Sequence, residues 1–250
     1  MVYDYFLETR NIDITKKAID KFELIFNKYI DKMDNGLLSI KKDDKHWVFY
    51  EWKPGFDGNG LSLPNKDFLA NAMFLYALLL ARKIYKELDI SFKYESYIEP
   101  LKGHIVEEFF DSERNTFVFS KEHKITSELM MAYAILTDLI PDKNNEFANQ
   151  IINKKVNEST NSFKSLVYEA LLKVNINYKD YILDEIHTLY GNMLNDGATT
   201  FYETNLGYLD FDKAGSLCHG WNAFIIKYLL YLLFKASTLS RLSASNNSSS

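Results

Sequence analysis

Between Asp196 and Asn222 the sequence reads DGATTFYETNLGYLDFDKAGSLCHGWN, and only there do an acid, a histidine, small residues and aromatics crowd together without helical spacing. Gly197 and Ala198 fit a tight turn, and Thr199 to Tyr202 are β-branched or aromatic, so Glu203 closes a short extended run. A carboxylate is thereby held on extended backbone beside rings. After a polar loop with Asp210 and Asp212, Gly215 and Ser216 lead to Cys218, His219 and Trp221, and then to a strongly apolar helix. Helices behind and polar groups on a connecting loop in front form the usual floor of a pocket. The imidazole of His219 can hydrogen-bond a ligand hydroxyl, or simply satisfy the start of the last helix.

A second group lies upstream in WVFYEWKPGFDG, where Glu51 and Asp57 flank Trp52. Carboxylates take the hydroxyls of a pyranose while a ring covers its C–H side. Core packing is the competing fate of each tryptophan; Trp52 and Trp221 are assigned to the pocket and Trp47 to the core. Cys218 as a nucleophile is not supported, because an isolated cysteine is usually a small buried hydrophobe. The five histidines show no i, i+4 pair and there is no Cys-x-x-Cys, so no metal and no cofactor is expected.

These motifs carry a resemblance. GATTFYE followed by AGSLCHGW, with WVFYEWKPGFDG and FKSLVYEALLK upstream, resembles the bacterial α-L-rhamnosidases of glycoside hydrolase family 78 over roughly residues 1–236. The resemblance implies an (α/α)6 toroid of six helical hairpins and hydrolysis of terminal α-L-rhamnosyl linkages with inversion. It implies that Glu203 is the general base, catalytic in drawing a proton from the attacking water. It also implies that Trp52 walls the sugar pocket, that His219 lines it, and that Glu51, Asp57, Tyr202 and Trp221 complete the substrate-binding set. Cys218 departs from the pattern, standing where asparagine is frequent. The family's general acid lies in a motif of Asp, Glu, Arg and Trp that no stretch here matches, so the chain is expected to carry one half of the acid–base pair. Two alternatives stand beside this reading: a non-catalytic helical module that binds sugar or protein, and a six-hairpin enzyme for another sugar.

The elements that must position these groups are helical. From Asp13 to Met33 apolar residues recur at helical spacing, with Asp13 as cap and Asn35-Gly36 as stop. A loop from Leu37 to Pro64 holds Trp47 and Trp52. Asn65 to Leu88 is apolar over much of its girth, an inner helix. Phe92 to Phe110 reads as amphipathic, Asp111 to Ser120 as a short hairpin, and Ser127 to Leu139 as another apolar helix. Helices near residues 144–156, 163–173 and 178–194 follow. That makes about eight helices in pairs, where a full toroid needs about twelve, so an incomplete all-α ring is expected. Residues 237–250, rich in serine and asparagine, are expected to be disordered.

Composition bounds the partners. With 250 residues, 47% hydrophobic and 15% aromatic, the chain can bury a sizeable core. A net charge of −5 without a basic stripe argues against nucleic acid, and aromatic excess without basic excess is more compatible with sugars, of which the resemblance implies a rhamnose-containing saccharide or glycoside. No membrane partner is expected: MVYDYFLETR has no apolar signal-like core, and Ala223 to Phe234 is short of a span. With one cysteine, this leans to a cytoplasmic setting. Apolar helix faces left bare by an incomplete ring predict self-association.

Overall fold

The computed structural model describes residues 2–40, 48–53, 55–56 and 64–232; Trp47, Asp57 and the serine-rich tail lie outside those residues. The chain divides into two compact units, Met1–Glu158 and Ser159–Ser250.

In the first unit, α1 (Val2–Thr9) precedes α2 (Ile12–Ile30). The cap of α2 is Asn11 rather than Asp13: its side-chain oxygen accepts the N–H of Ile14 at 3.0 Å. Asn35-Gly36 is likewise no helix stop. The helix ends at Ile30, and the pair forms the turn of a hairpin between β1 (Met33–Asp34) and β2 (Leu37–Leu38). Both turn residues have positive φ, 50° and 76°, as a two-residue turn matched to strand twist requires.

The next helix, α3 (Phe68–Glu87), starts at Asp67, whose Oδ1 accepts the N–H of Ala70 at 2.8 Å while Oδ2 accepts the Tyr50 hydroxyl at 2.6 Å. Phe68, Leu69, Leu75 and Leu78 on α3 are completely buried, each contributing about 1.5–3 kcal/mol of hydrophobic stabilisation. Length and composition would let α3 cross a membrane, yet 67% of its apolar window is buried in protein, as in a core helix. Asn71, one turn into α3, ties the hairpin down: its Oδ1 accepts the N–H of Leu38 at 2.7 Å.

Then come α4 (Glu95–Phe109), the expected short hairpin of β3 (Phe110–Asp111) with β4 (Thr116–Phe117), and α5 (Glu128–Leu136) capped by Ser127. Buried on nearly every side, α5 packs against the amphipathic α6 (Asn144–Ile152).

The second unit begins with the helical pair α7 (Lys164–Val174) and α8 (Lys179–Asn195), joined by a 3-10 turn. An irregular stretch from Asp196 to His219 follows, then a 3-10 turn, Gly220–Phe224, and α9 at residues 225–232. Tyr228 on α9 anchors the unit: its hydroxyl donates to Ser165 O at 2.7 Å and its ring meets Tyr168 edge-on at 5.5 Å. Nine α-helices occur among the described residues, one more than the periodicity gives. The addition is α1, too short to show a repeating apolar face, and held through buried Phe6.

Candidate active site

Glu203 sits where the sequence places it, at the end of a run that leaves α8 and does not continue it. Although residues 201–203 form no regular strand, they pair with residues 216–219. The N–H of His219 donates to Phe201 O at 2.7 Å, and the N–H of Glu203 donates to Ser216 O at 2.9 Å. The Thr200 hydroxyl donates to Leu217 O. Two irregular segments are thus zipped together, and the residues at their ends, Glu203 and His219, become neighbours.

The carboxylate has two different oxygens. Oε2 accepts the N–H of Ser216 at 3.1 Å, whereas Oε1 lies 3.9 Å from His219 Nε2. With 13% of the Glu203 side chain and 22% of the His219 side chain exposed, both groups are half sunk into the protein. His219 Nδ1 is buried without a hydrogen-bond partner among the described residues. The imidazole also meets Trp221, with ring centres 5.7 Å apart and planes at 69°. Trp221 is itself 67% exposed, so it stands as a projecting ring and not as a core side chain.

Tyr202 is half-buried against the loop that follows. That loop folds back closely at Gly207, where φ is +52° and an added Cβ would lie 2.7 Å from Cδ2 of Tyr202. Gly215 is tighter still: its Cβ would fall 1.9 Å from Gly207 O. Phe211, Asp212 and Lys213 are three consecutive residues with positive φ, a strained turn of the sort that collects near functional loops.

The upstream group belongs to the first unit. Tyr50 and Glu51 both send their N–H groups to Phe56 O, at 2.8 and 3.3 Å. Glu51 is completely buried, and Trp52 is half-buried with its ring centre 4.6 Å from that of Phe49. Asp57 lies outside the described residues. Glu203, Tyr202, His219 and Trp221 therefore form one cluster in the second unit, while Glu51 and Trp52 share a loop in the first. Among the described residues no group of three or more His, Cys, Asp or Glu side chains is placed to hold a metal ion.

One residue of the cluster is missing from the sequence reading. Asn222, completely buried, donates from Nδ2 to the carbonyls of Tyr202 and Glu203, the latter at 3.2 Å. Its only signal in the sequence is a lone amide at the start of an otherwise apolar run.

Paired helices, with a recessed carboxylate beside an imidazole and an indole on a loop between them, define an all-α protein. Residues 3–233 match the model of the bacterial alpha-L-rhamnosidase six-hairpin glycosidase domain, and the chain belongs to that family. Among solved structures it is similar to a family 78 rhamnosidase of Bacillus sp. GL1, with 18% identity and a TM-score of 0.74 over 88% of this chain and 24% of that one. It is also similar to a Klebsiella oxytoca rhamnosidase with rhamnose bound, at 18% identity and a TM-score of 0.70 over 94% of this chain and 45% of that one. A third, the Streptomyces avermitilis α-L-rhamnosidase complexed with L-rhamnose, shares 12% identity with a TM-score of 0.58, covering 88% of this chain and 21% of that one. At such identities the likeness is one of fold, and the chain spans less than half the length of each of these structures. No curated protein matches the sequence.

Proposed function

We propose that this chain contributes to an inverting α-L-rhamnosidase in which Glu203 is the general base. The observation that carries the reading is the 3.9 Å approach of Glu203 Oε1 to His219 Nε2 in a recess beside Trp221. A water at ordinary hydrogen-bond length, about 2.8 Å, from both groups bridges such a gap. Oε1 then receives the proton as the water oxygen attacks the anomeric carbon and the glycosidic C–O bond breaks. Inversion needs a second carboxyl about 6.5–9.5 Å away to protonate the leaving oxygen. That donor is not assigned among these residues. L-rhamnose as the sugar is supported by the family and by the rhamnose found in the Klebsiella oxytoca structure.

A leaving group acidic enough to depart unprotonated isolates the base. The test is turnover of a dinitrophenyl α-L-rhamnoside by the chain and by Glu203→Gln. A fall of about 10²–10⁴-fold in the variant is expected. Equal rates would remove Glu203 from the mechanism.

A second reading, a module that binds sugar without turnover, is favoured by the lack of any stretch matching the family's proton-donor motif. Calorimetry with L-rhamnose separates the two: binding with no turnover of the activated glycoside selects the module. Exposed Leu24 and Ile25 on α2, and Ile226 and Leu230 on α9, support the further proposal that the chain self-associates, which sedimentation would detect as species heavier than one chain.

A further inference from the structure

We propose that Asn222 is the positioning residue of this site, fixing the backbone of Glu203 so that Oε1 is presented beside His219. The proposal rests on the reading of Glu203 as the base. Asn222 lies in the 3-10 turn that opens α9, and its own N–H donates to His219 O at 3.1 Å. From there its carboxamide nitrogen reaches back to two successive carbonyls, Tyr202 O and Glu203 O. Carbonyls only accept, so the NH2 must face them; the opposite orientation would set oxygen against oxygen.

That orientation has a cost. Oδ1 of Asn222 is left buried without a hydrogen-bond partner among the described residues. A residue present only to fill space in WNAFII would be apolar and would carry no such penalty. What the amide gains is a complete grip on Glu203. Ser216 O accepts from the Glu203 N–H, Ser216 N–H donates to the carboxylate Oε2, and Asn222 takes the Glu203 carbonyl. Among the described residues no donor lies at hydrogen-bond distance from Oε1, and it is the oxygen next to the imidazole. Through its carboxamide to Glu203 O and its backbone N–H to His219 O, one residue therefore links the turn that carries it to both halves of the Glu203–His219 pair.

Small displacements of a reacting group matter: about 1 Å is enough for about 10²-fold in rate. The test compares Asn222→Asp, which keeps the shape and removes the Nδ2 donor, with Asn222→Ala, which removes both. The full chain is assayed on the dinitrophenyl α-L-rhamnoside, and the His219 ring signals are followed by NMR with Glu203→Gln as reference. Positioning predicts that kcat falls about 10²-fold in both variants while KM stays near the wild-type value. It also predicts that Asp is no better than Ala, and that the His219 signals move towards those of Glu203→Gln. If Asp keeps the wild-type kcat while Ala loses it, bulk is what matters and the proposal fails. Unmoved His219 signals, or losses that merely track unfolding, also overturn it. Absence of wild-type turnover is instead a failure of the Glu203 reading, and the NMR comparison then decides the role of Asn222 alone.

Discussion

Glu203 and His219 face each other across 3.9 Å because two irregular segments, residues 201–203 and 216–219, are joined by backbone hydrogen bonds. Neither residue is held by a regular strand or helix, so the site depends on the loop between them. His219→Ala removes the imidazole and leaves Glu203 in place. Turnover of the activated rhamnoside should fall about tenfold, the worth of one hydrogen bond near 1.4 kcal/mol, as read by kcat/KM.

The fold-back at Gly207 is a second dependence. Gly207→Ala places a methyl against Tyr202 and Leu217 in a backbone conformation that disfavours a side chain. The combined strain should cost roughly 1–3 kcal/mol, seen as a lower denaturant midpoint, with loss of turnover because Tyr202 adjoins Glu203, the proposed base. Gly191→Ala on α8, where an added Cβ meets nothing within 4 Å, should instead stabilise by about 0.5–1 kcal/mol.

Lys164, 1% exposed, donates to Glu185 Oε1 at 2.9 Å between α7 and α8. Removing one partner leaves a buried charge, so Lys164→Met should destabilise by roughly 3–5 kcal/mol in urea unfolding. The double variant Lys164→Met/Glu185→Met should recover part of that loss.

Acid should weaken the corner between the β3–β4 hairpin and α6. The N–H of Arg114 and then Lys124 hold the Asp111 carboxyl below its ordinary value, and Asn115 and Lys143 do the same for Glu146. A carboxyl with a lowered folded-state pKa adds stability above its unfolded pKa, and that stability is lost as pH falls through the folded value. Thermal melts from about pH 6 to about pH 3 should show a fall that Asp111→Asn makes shallower. An identical acid profile for the variant would dismiss Asp111 as its source.

Helix identity was legible in the sequence wherever a helix was long enough to repeat its apolar face, as in α3. Starts and stops were less so, because several side chains compete to cap: Asp13 looks as suitable as Asn11, and only backbone geometry chooses. Asn35-Gly36 misleads for a related reason, since the same dipeptide ends helices and turns hairpins, and two short strands carry too little pattern to decide. Within the site, Glu203, His219 and Trp221 were legible as residue types in an aperiodic stretch. Their pairing was less so, being made by backbone bonds from Phe201 to His219 and from Glu203 to Ser216 that leave no compositional trace. Asn222 was hidden for the same reason, its partners being two carbonyls.

Glu203 is proposed to deprotonate the attacking water. Azide needs no deprotonation, so it should bypass a missing base by attacking the anomeric carbon as the dinitrophenolate leaves. With Glu203→Ala and added azide, NMR of the products from the dinitrophenyl α-L-rhamnoside should show restored turnover and β-L-rhamnosyl azide. Wild-type hydrolysis by Glu203→Ala without azide, or no azide adduct at any concentration, would contradict the account.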